Sequence, residues 1–335
     1  MTTLLGGASR QSYVATLPPN RFYCLLDELP LHLIPQRVLK ALYSREDRVR
    51  PLYLNPRCVL CPAGDVPPEL ADRKELLSGF ATVGTTAWVR DPVSESPQPF
   101  WLGPQLEAVV RDLRPDEPIP STVPGTTREL LAVAGILVSD GRTEQSHTER
   151  EETIRKAAPL FSQKGYAPLA DLIHPFHIAA LRRYYRYTIR SGAIRLGDRQ
   201  SPRRYVAYND PVARFFHHHM TATLSAVAGE ALKPSYVYLA SYLSGAELKK
   251  HTDREQCEFS ITLCLDFSPE PALETPWPIR LDTPTGTVTV YQSIGDGLAY
   301  RGTRLPHYRD KLGEGQTSTS IFFHYVAADF SGSLG

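Results

Sequence analysis

Two histidines and one aspartate carry the chemistry that this sequence is equipped to do. His251-Thr-Asp253 lies between two stretches that read as β-strands. In an extended chain residues i and i+2 point to the same face, so an imidazole and a carboxylate can converge on one point. His307 follows far downstream, before the last strand-like stretch. Two imidazoles and one carboxylate on one side of a divalent cation leave coordination positions open on the other. That donor set suits Fe(II), and oxygen chemistry needs the open positions. A structural reading stands beside it. His251 and Asp253 sit among Lys249, Lys250, Arg254 and Glu255, as an exposed pair would, and His307 has only Tyr308 and Arg309 beside it. The β pattern around them favours the metal. His324, two residues after Phe322, reads as a core histidine ahead of a cavity residue.

The elements that must position these groups are mostly strands. Residues 235–242, 258–265, 278–281, 287–291, 297–300 and 318–326 are rich in Val, Ile, Tyr and Phe and are separated by Gly, Pro and Asp. Short strands after a block of helices predict an α+β fold, a jelly roll with supporting helices. Helical spacing predicts helices over 148–158, 175–191 and 211–229. The second carries Arg182, Arg183, Arg186 and Arg190 among Tyr184, Tyr185 and Tyr187, and it reads as a solvated face. In the third, His217, His218 and His219 are consecutive and cannot share one helix face, so they do not form a metal site.

The first half differs. Nine of the ten histidines lie beyond residue 140, and the polar stretch 140–152 reads as a linker turning into a helix start. This predicts two domains, a lobe over 20–145 and the jelly roll over 150–335. The lobe mixes helices over 31–43, 106–113 and 127–134 with a strand over 86–90, an α/β lobe. The helix–glycine–strand run 129–138 resembles the end of a winged-helix or peptide-recognition domain. Cys58 and Cys61 have the spacing of half a zinc site, but no second pair lies nearby, so they read as buried thiols.

Composition narrows the classes. Lys plus Arg is 37 and Asp plus Glu is 36, a net charge of +1, so a polyanionic partner such as nucleic acid is not expected. A hydrophobic fraction of 42% can fill a core, which excludes wholesale disorder. The longest apolar run is nine residues, 130–138, against the roughly 20 that a membrane span needs. No signal-peptide pattern opens the sequence, and five sparse cysteines fit a reducing compartment, so a cytoplasmic location is expected.

With these residues in view, the stretch from 160 to 326 resembles the Fe(II)/2-oxoglutarate dioxygenase family, in its prolyl-hydroxylase-like branch. The motifs are Tyr242-Leu-Ser-Gly-Ala-Glu-Leu-Lys-Lys-His-Thr-Asp253 and the run from Ile294-Gly-Asp-Gly toward His307. The resemblance implies a double-stranded β-helix, Fe(II) held by His251, Asp253 and His307, and 2-oxoglutarate as co-substrate. It implies hydroxylation of an unactivated C–H bond in an amino-acid or peptide substrate. A carboxylate at 253, where related halogenases have a small residue, favours hydroxylation. The family's usual Arg or Lys, some ten residues past the distal histidine, is missing: Gln316, Thr317 and Ser318 stand there. A far carboxylate still needs a cation. Arg309 is the first candidate and Arg301 the second, with Arg280 on a preceding strand a further substitute; Ser318 or Ser320 would help, and Tyr236, Tyr238 or Tyr242 would add a hydroxyl. Two alternatives remain, a non-catalytic jelly-roll binding protein and a cupin-type enzyme using Zn or Mn without 2-oxoglutarate.

Overall fold

The computed structural model describes residues 17–35, 51–91, 94–139, 142–170 and 172–335. The first half builds short pieces: β1 (Tyr53–Leu54), β2 (Cys58–Cys61), β3 (Thr86–Arg90), β4 (Pro97–Trp101), α1 (Pro104–Arg111), α2 (Gly125–Val133) and β5 (Leu137–Val138). Strands β2, β3 and β4 form an antiparallel sheet, and β1 pairs with β5. Gly135, at φ +73°, makes the turn between α2 and β5, a backbone conformation that favours glycine. Most of the helix expected over 31–43 falls outside the described residues, and Leu31–Leu33 is a 3-10 turn.

Then come α3 (Arg142–Lys164), β6 (Tyr166–Leu169), α4 (Pro175–Arg190), β7 (Arg195–Leu196), β8 (Arg204–Tyr208), α5 (Pro211–His219) and α6 (Thr221–Ala228). The polar stretch expected to be a linker is helical from Arg142 onward. Asp210 caps α5 by accepting from the Val212 and Ala213 amides, 3.1 Å each, and Pro211 is preset for the first helical position. The helix expected over 211–229 is two helices that meet at Met220.

Eight strands follow: β9 (Leu232–Tyr242), β10 (Leu248–His251), β11 (Phe259–Ser268), β12 (Ile279–Thr283), β13 (Gly286–Val290), β14 (Gly297–Arg301), β15 (His307–Arg309) and β16 (Thr317–Ala327). The large antiparallel sheet runs β6-β14-β11-β16-β9-β8-β7 and the small one β10-β15-β12-β13. The chain thus alternates between sheets, β9, β11, β14 and β16 in one and β10, β12, β13 and β15 in the other. This is the jelly-roll topology. A small apolar cluster of Ile279, Leu281, Val290, Leu298 and Tyr300 joins the sheets.

Helix α4 is not a solvated face. Arg182 is fully buried and pairs with Asp266 at 2.9 Å and Glu270 at 2.7 Å, and Arg186 pairs with Asp266 at 2.6 Å. A buried guanidinium requires such partners. Their carboxylates come from β11 and the loop after it. Residues from both halves, among them Phe22, Trp101, Phe176 and Phe216, belong to one buried apolar cluster. Among the described residues, no helix is long and apolar enough to cross a membrane.

Candidate metal centre

Strand pairing sets the site. β10 runs antiparallel to β15 with His251 directly opposite His307, their rings 4.4 Å apart. The chain leaves β10 and turns, and the Asp253 amide donates to the Gly302 carbonyl at 2.9 Å. This brings Asp253 Oδ1 to 3.6 Å from Nε2 of His251 and 3.6 Å from Nε2 of His307. Gly302 makes room for it: a Cβ there would sit 2.3 Å from Asp253 Oδ2 and 2.4 Å from the Cys257 carbonyl oxygen.

The far side of each ring fixes its tautomer. His251 Nδ1 lies 2.7 Å from the Lys249 carbonyl and His307 Nδ1 lies 3.0 Å from the Leu305 carbonyl. A carbonyl can only accept, so both Nδ1 atoms carry the proton and both Nε2 lone pairs face Asp253. Ligand histidines are held this way. Burial lowers the His307 pKa, which keeps that imidazole neutral, while contact with Asp253 raises that of His251. Burial pushes the Asp253 carboxyl up, but the neighbouring histidines outweigh it and leave Asp253 below the usual carboxylate range. The donor set and the cradle at Gly302 fit a divalent cation.

The three groups open on a cavity of about 480 Å³ whose walls include Arg204, Tyr238, Tyr242, Tyr300, Phe322 and His324. No described residue of 17–139 lines it. Tyr242 is buried and its hydroxyl accepts from Arg204 Nη1 at 3.2 Å. Ser318 is paired in register with Tyr242 but does not line the cavity. Arg301 faces away: the strand places Tyr300 inward, and Arg301 lies over the Phe161 and Phe259 rings, 3.5 Å from Glu230. Arg280 also faces away and pairs with Asp310 at 2.9 Å.

Arg309 is the unusual residue. Two positions past His307 on the same strand, it is fully buried. Its guanidinium donates to the Trp277 carbonyl and, at 3.1 Å, to Gln292 Oε1. It lies over the Trp277 ring at 4.8 Å. Its Nε has no partner, and no carboxylate among the described residues pairs with it. Burial pulls its pKa below the usual arginine range, opposed by Cys264, Tyr242 and Tyr300. Two of those, Tyr242 and Tyr300, line the cavity, whereas Arg309 itself does not.

Several groups at the site escape a reading of sequence alone. Arg204 is buried, paired with Asp198, and turned toward the cavity. Cys257 and His324 also line it, so His324 is a cavity residue, although buried. Strand register brings in Arg204, opposite Tyr242, and His324, opposite Ser260, and register is not written locally. His217 and His219 are buried elsewhere; His217 Nε2 contacts the His324 carbonyl at 2.7 Å. Cys58 and Cys61 are free thiols outside every candidate metal cluster among the described residues.

No protein-family model matches the chain, and no curated protein matches it. Among solved structures it is similar to the non-heme alpha ketoglutarate dependent epimerase SnoN from nogalamycin biosynthesis. That alignment has 12% identity and a TM-score of 0.45 over 53% of this chain and 84% of that one. A Pseudomonas putida prolyl-4-hydroxylase aligns at 17% identity and TM-score 0.44, over 52% and 99% of the two chains. HygX from Streptomyces hygroscopicus, solved with nickel and 2-oxoglutarate bound, aligns at 13% identity and TM-score 0.42, over 52% and 88%. With TM-scores below 0.5, these likenesses add no residue roles to the geometry.

Proposed function

We propose that the chain is an Fe(II)- and 2-oxoglutarate-dependent dioxygenase that hydroxylates an unactivated C–H bond. The observation that supports this most strongly is the convergence of His251 Nε2, His307 Nε2 and Asp253 Oδ1. Both rings are locked in the ligand tautomer and open on one cavity. His251, Asp253 and His307 would hold the iron. When bound, iron supplies the oxidation of the substrate C–H bond, coupled to decarboxylation of 2-oxoglutarate.

The chain's own residues do the rest. Arg309 supplies the missing cation for the far carboxylate: it is buried, two residues from a ligand, and has an unpartnered Nε. A carboxylate beside it would relieve the cost of an unpaired buried charge. Tyr242 adds a hydroxyl at the cavity wall, and Ser318 stands opposite it in register. Arg204 also lines the cavity, as a second cation beside the Tyr242 hydroxyl, already neutralised by Asp198. The volume left beside a co-substrate fits a small molecule or the side chain of an amino acid or peptide.

The supporting role for residues 20–145 is substrate recognition from outside the cavity, since their described part does not wall it. Five free thiols fit a reducing, cytoplasmic setting. The test is equilibrium binding of Fe(II) under anaerobic conditions. Wild type should bind one ion per chain, and His251→Ala and His307→Ala should lose it while keeping the fold. Unchanged binding in both variants would reject the ligand assignment. Turnover with zinc or manganese but without 2-oxoglutarate would favour the cupin-type alternative.

A further inference from the structure

Asp253 stands between two sets of metal-binding atoms. One is the set with His251 and His307. In the other, Cys257 Sγ, a His324 ring nitrogen and an Asp253 carboxylate oxygen all lie within 4.8 Å of one another. Three separate features bring this second set together. The 3-10 turn Glu255–Cys257 folds the chain back after Asp253 and aims Cys257 into the cavity. β11 pairs with β16 so that Ser260 stands opposite His324, and Ser260 Oγ holds His324 Nδ1 at 2.8 Å. The same hydroxyl lies 3.4 Å from Asp253 Oδ2, the oxygen not placed against His251 and His307.

The donors of the second set are sulfur, nitrogen and oxygen. A thiolate with imidazole and carboxylate suits a thiophilic cation, whereas the first set contains no sulfur. Tyr236 Oη is 3.0 Å from Cys257 Sγ and accepts from Arg254 Nε at 3.3 Å. That leaves the Tyr236 proton free to point at the sulfur, the outer support that metal thiolates use. The cavity supplies room for a water as a fourth ligand.

We propose that Asp253, Cys257 and His324 form a second metal pocket that takes a thiophilic divalent cation such as Zn²⁺ and, by drawing on Asp253, excludes iron from the first. The thiol proton leaves to bulk water as the cation binds. Binding stands apart from the iron reading, and only the exclusion of iron rests on it.

Cobalt(II) is the probe, because a thiolate ligand gives it a charge-transfer absorption that nitrogen and oxygen ligands do not. The full chain carrying Cys58→Ser and Cys61→Ser removes the other close thiol pair. With His251→Ala and His307→Ala added, cobalt should still give the thiolate band, and Zn²⁺ should abolish it. Adding Cys257→Ser should remove the band, and His324→Gln should weaken cobalt binding about a hundredfold. Near-UV circular dichroism confirms that each variant is folded. No thiolate band in the folded His251/His307 variant, or a band that survives Cys257→Ser, would overturn the pocket. In the otherwise unaltered protein, Zn²⁺ should inhibit succinate formation, and Cys257→Ser should raise the zinc needed about a hundredfold. Inhibition unchanged by Cys257→Ser would overturn the competition. If the protein forms no succinate, the cobalt band still decides the pocket.

Discussion

His307 and Arg309 share one face of a three-residue strand, and the proposed function gives them the two roles of iron ligand and carboxylate anchor. Pairing a buried guanidinium with a carboxylate in two-pronged fashion is worth about 2–4 kcal/mol. Arg309→Ala should therefore raise the apparent 2-oxoglutarate KM about thirtyfold to a thousandfold with iron affinity held. A change under about threefold would move the anchor elsewhere, Arg204 first. Gly302→Ala probes the other side of the centre. Its methyl would meet Asp253 Oδ2 at 2.3 Å and the Cys257 backbone oxygen at 2.4 Å, and backbone cannot yield cheaply. Iron affinity should fall about 10–100-fold, read by anaerobic titration; wild-type affinity would show that Asp253 is not held there. The nearness of His251 and Asp253 was legible because i, i+2 spacing is local, whereas strand pairing brings the distant His307 to them. Arg301 was misread by one position, since its neighbour Tyr300 takes the inward face.

Element by element, the strands of the jelly roll lie close to where alternation and turn residues put them. The helices also lie near where spacing puts them, but which face of α4 is buried was less legible. The arginines of α4 suggest solvent because their partners are remote: Asp266 is 84 residues from Arg182 and Glu270 is 88. Sequence spacing cannot show that a carboxylate waits across the fold. Arg182→Ala removes the partner of Glu270 and leaves a void where a fully buried side chain stood, while Asp266 keeps Arg186. It should cost about 2–3 kcal/mol in urea unfolding. A loss below about 1 kcal/mol would mean that the pair is as weak as a surface ion pair. His324 and Arg204 were less legible for a related reason, because cross-strand register places them, and Cys257 because a 3-10 turn carries it back to the cavity.

For the whole molecule, the two halves share one buried cluster, so the first half acts as a structural partner of the second. The Phe22 ring meets those of His177 and Phe216, and Arg183 donates to the Tyr23 carbonyl at 2.6 Å. Several histidines are buried neutral across this shared core. Burial pushes His217 and His219 down to about 3. In the unfolded chain they titrate near 6.5, so the unfolded state takes up protons first as pH falls. Stability should be flat above pH ~6.5 and decline below it by about 1.4 kcal/mol per pH unit for each histidine, until pH ~3. Urea midpoints at pH 7.5 and 5.5 check this, and His219→Gln should flatten the slope by one such increment. A midpoint independent of pH would mean that these rings are not held neutral. The central claim is that the centre runs oxygen chemistry through 2-oxoglutarate. The most direct measurement is succinate formed by the full chain with Fe(II), 2-oxoglutarate and air, against His307→Ala and Arg309→Ala. Iron-dependent succinate from wild type, lost in His307→Ala and restored in Arg309→Ala only at high 2-oxoglutarate, is the expected result. Iron bound stoichiometrically at His251, Asp253 and His307 with no succinate above the His307→Ala background would contradict it.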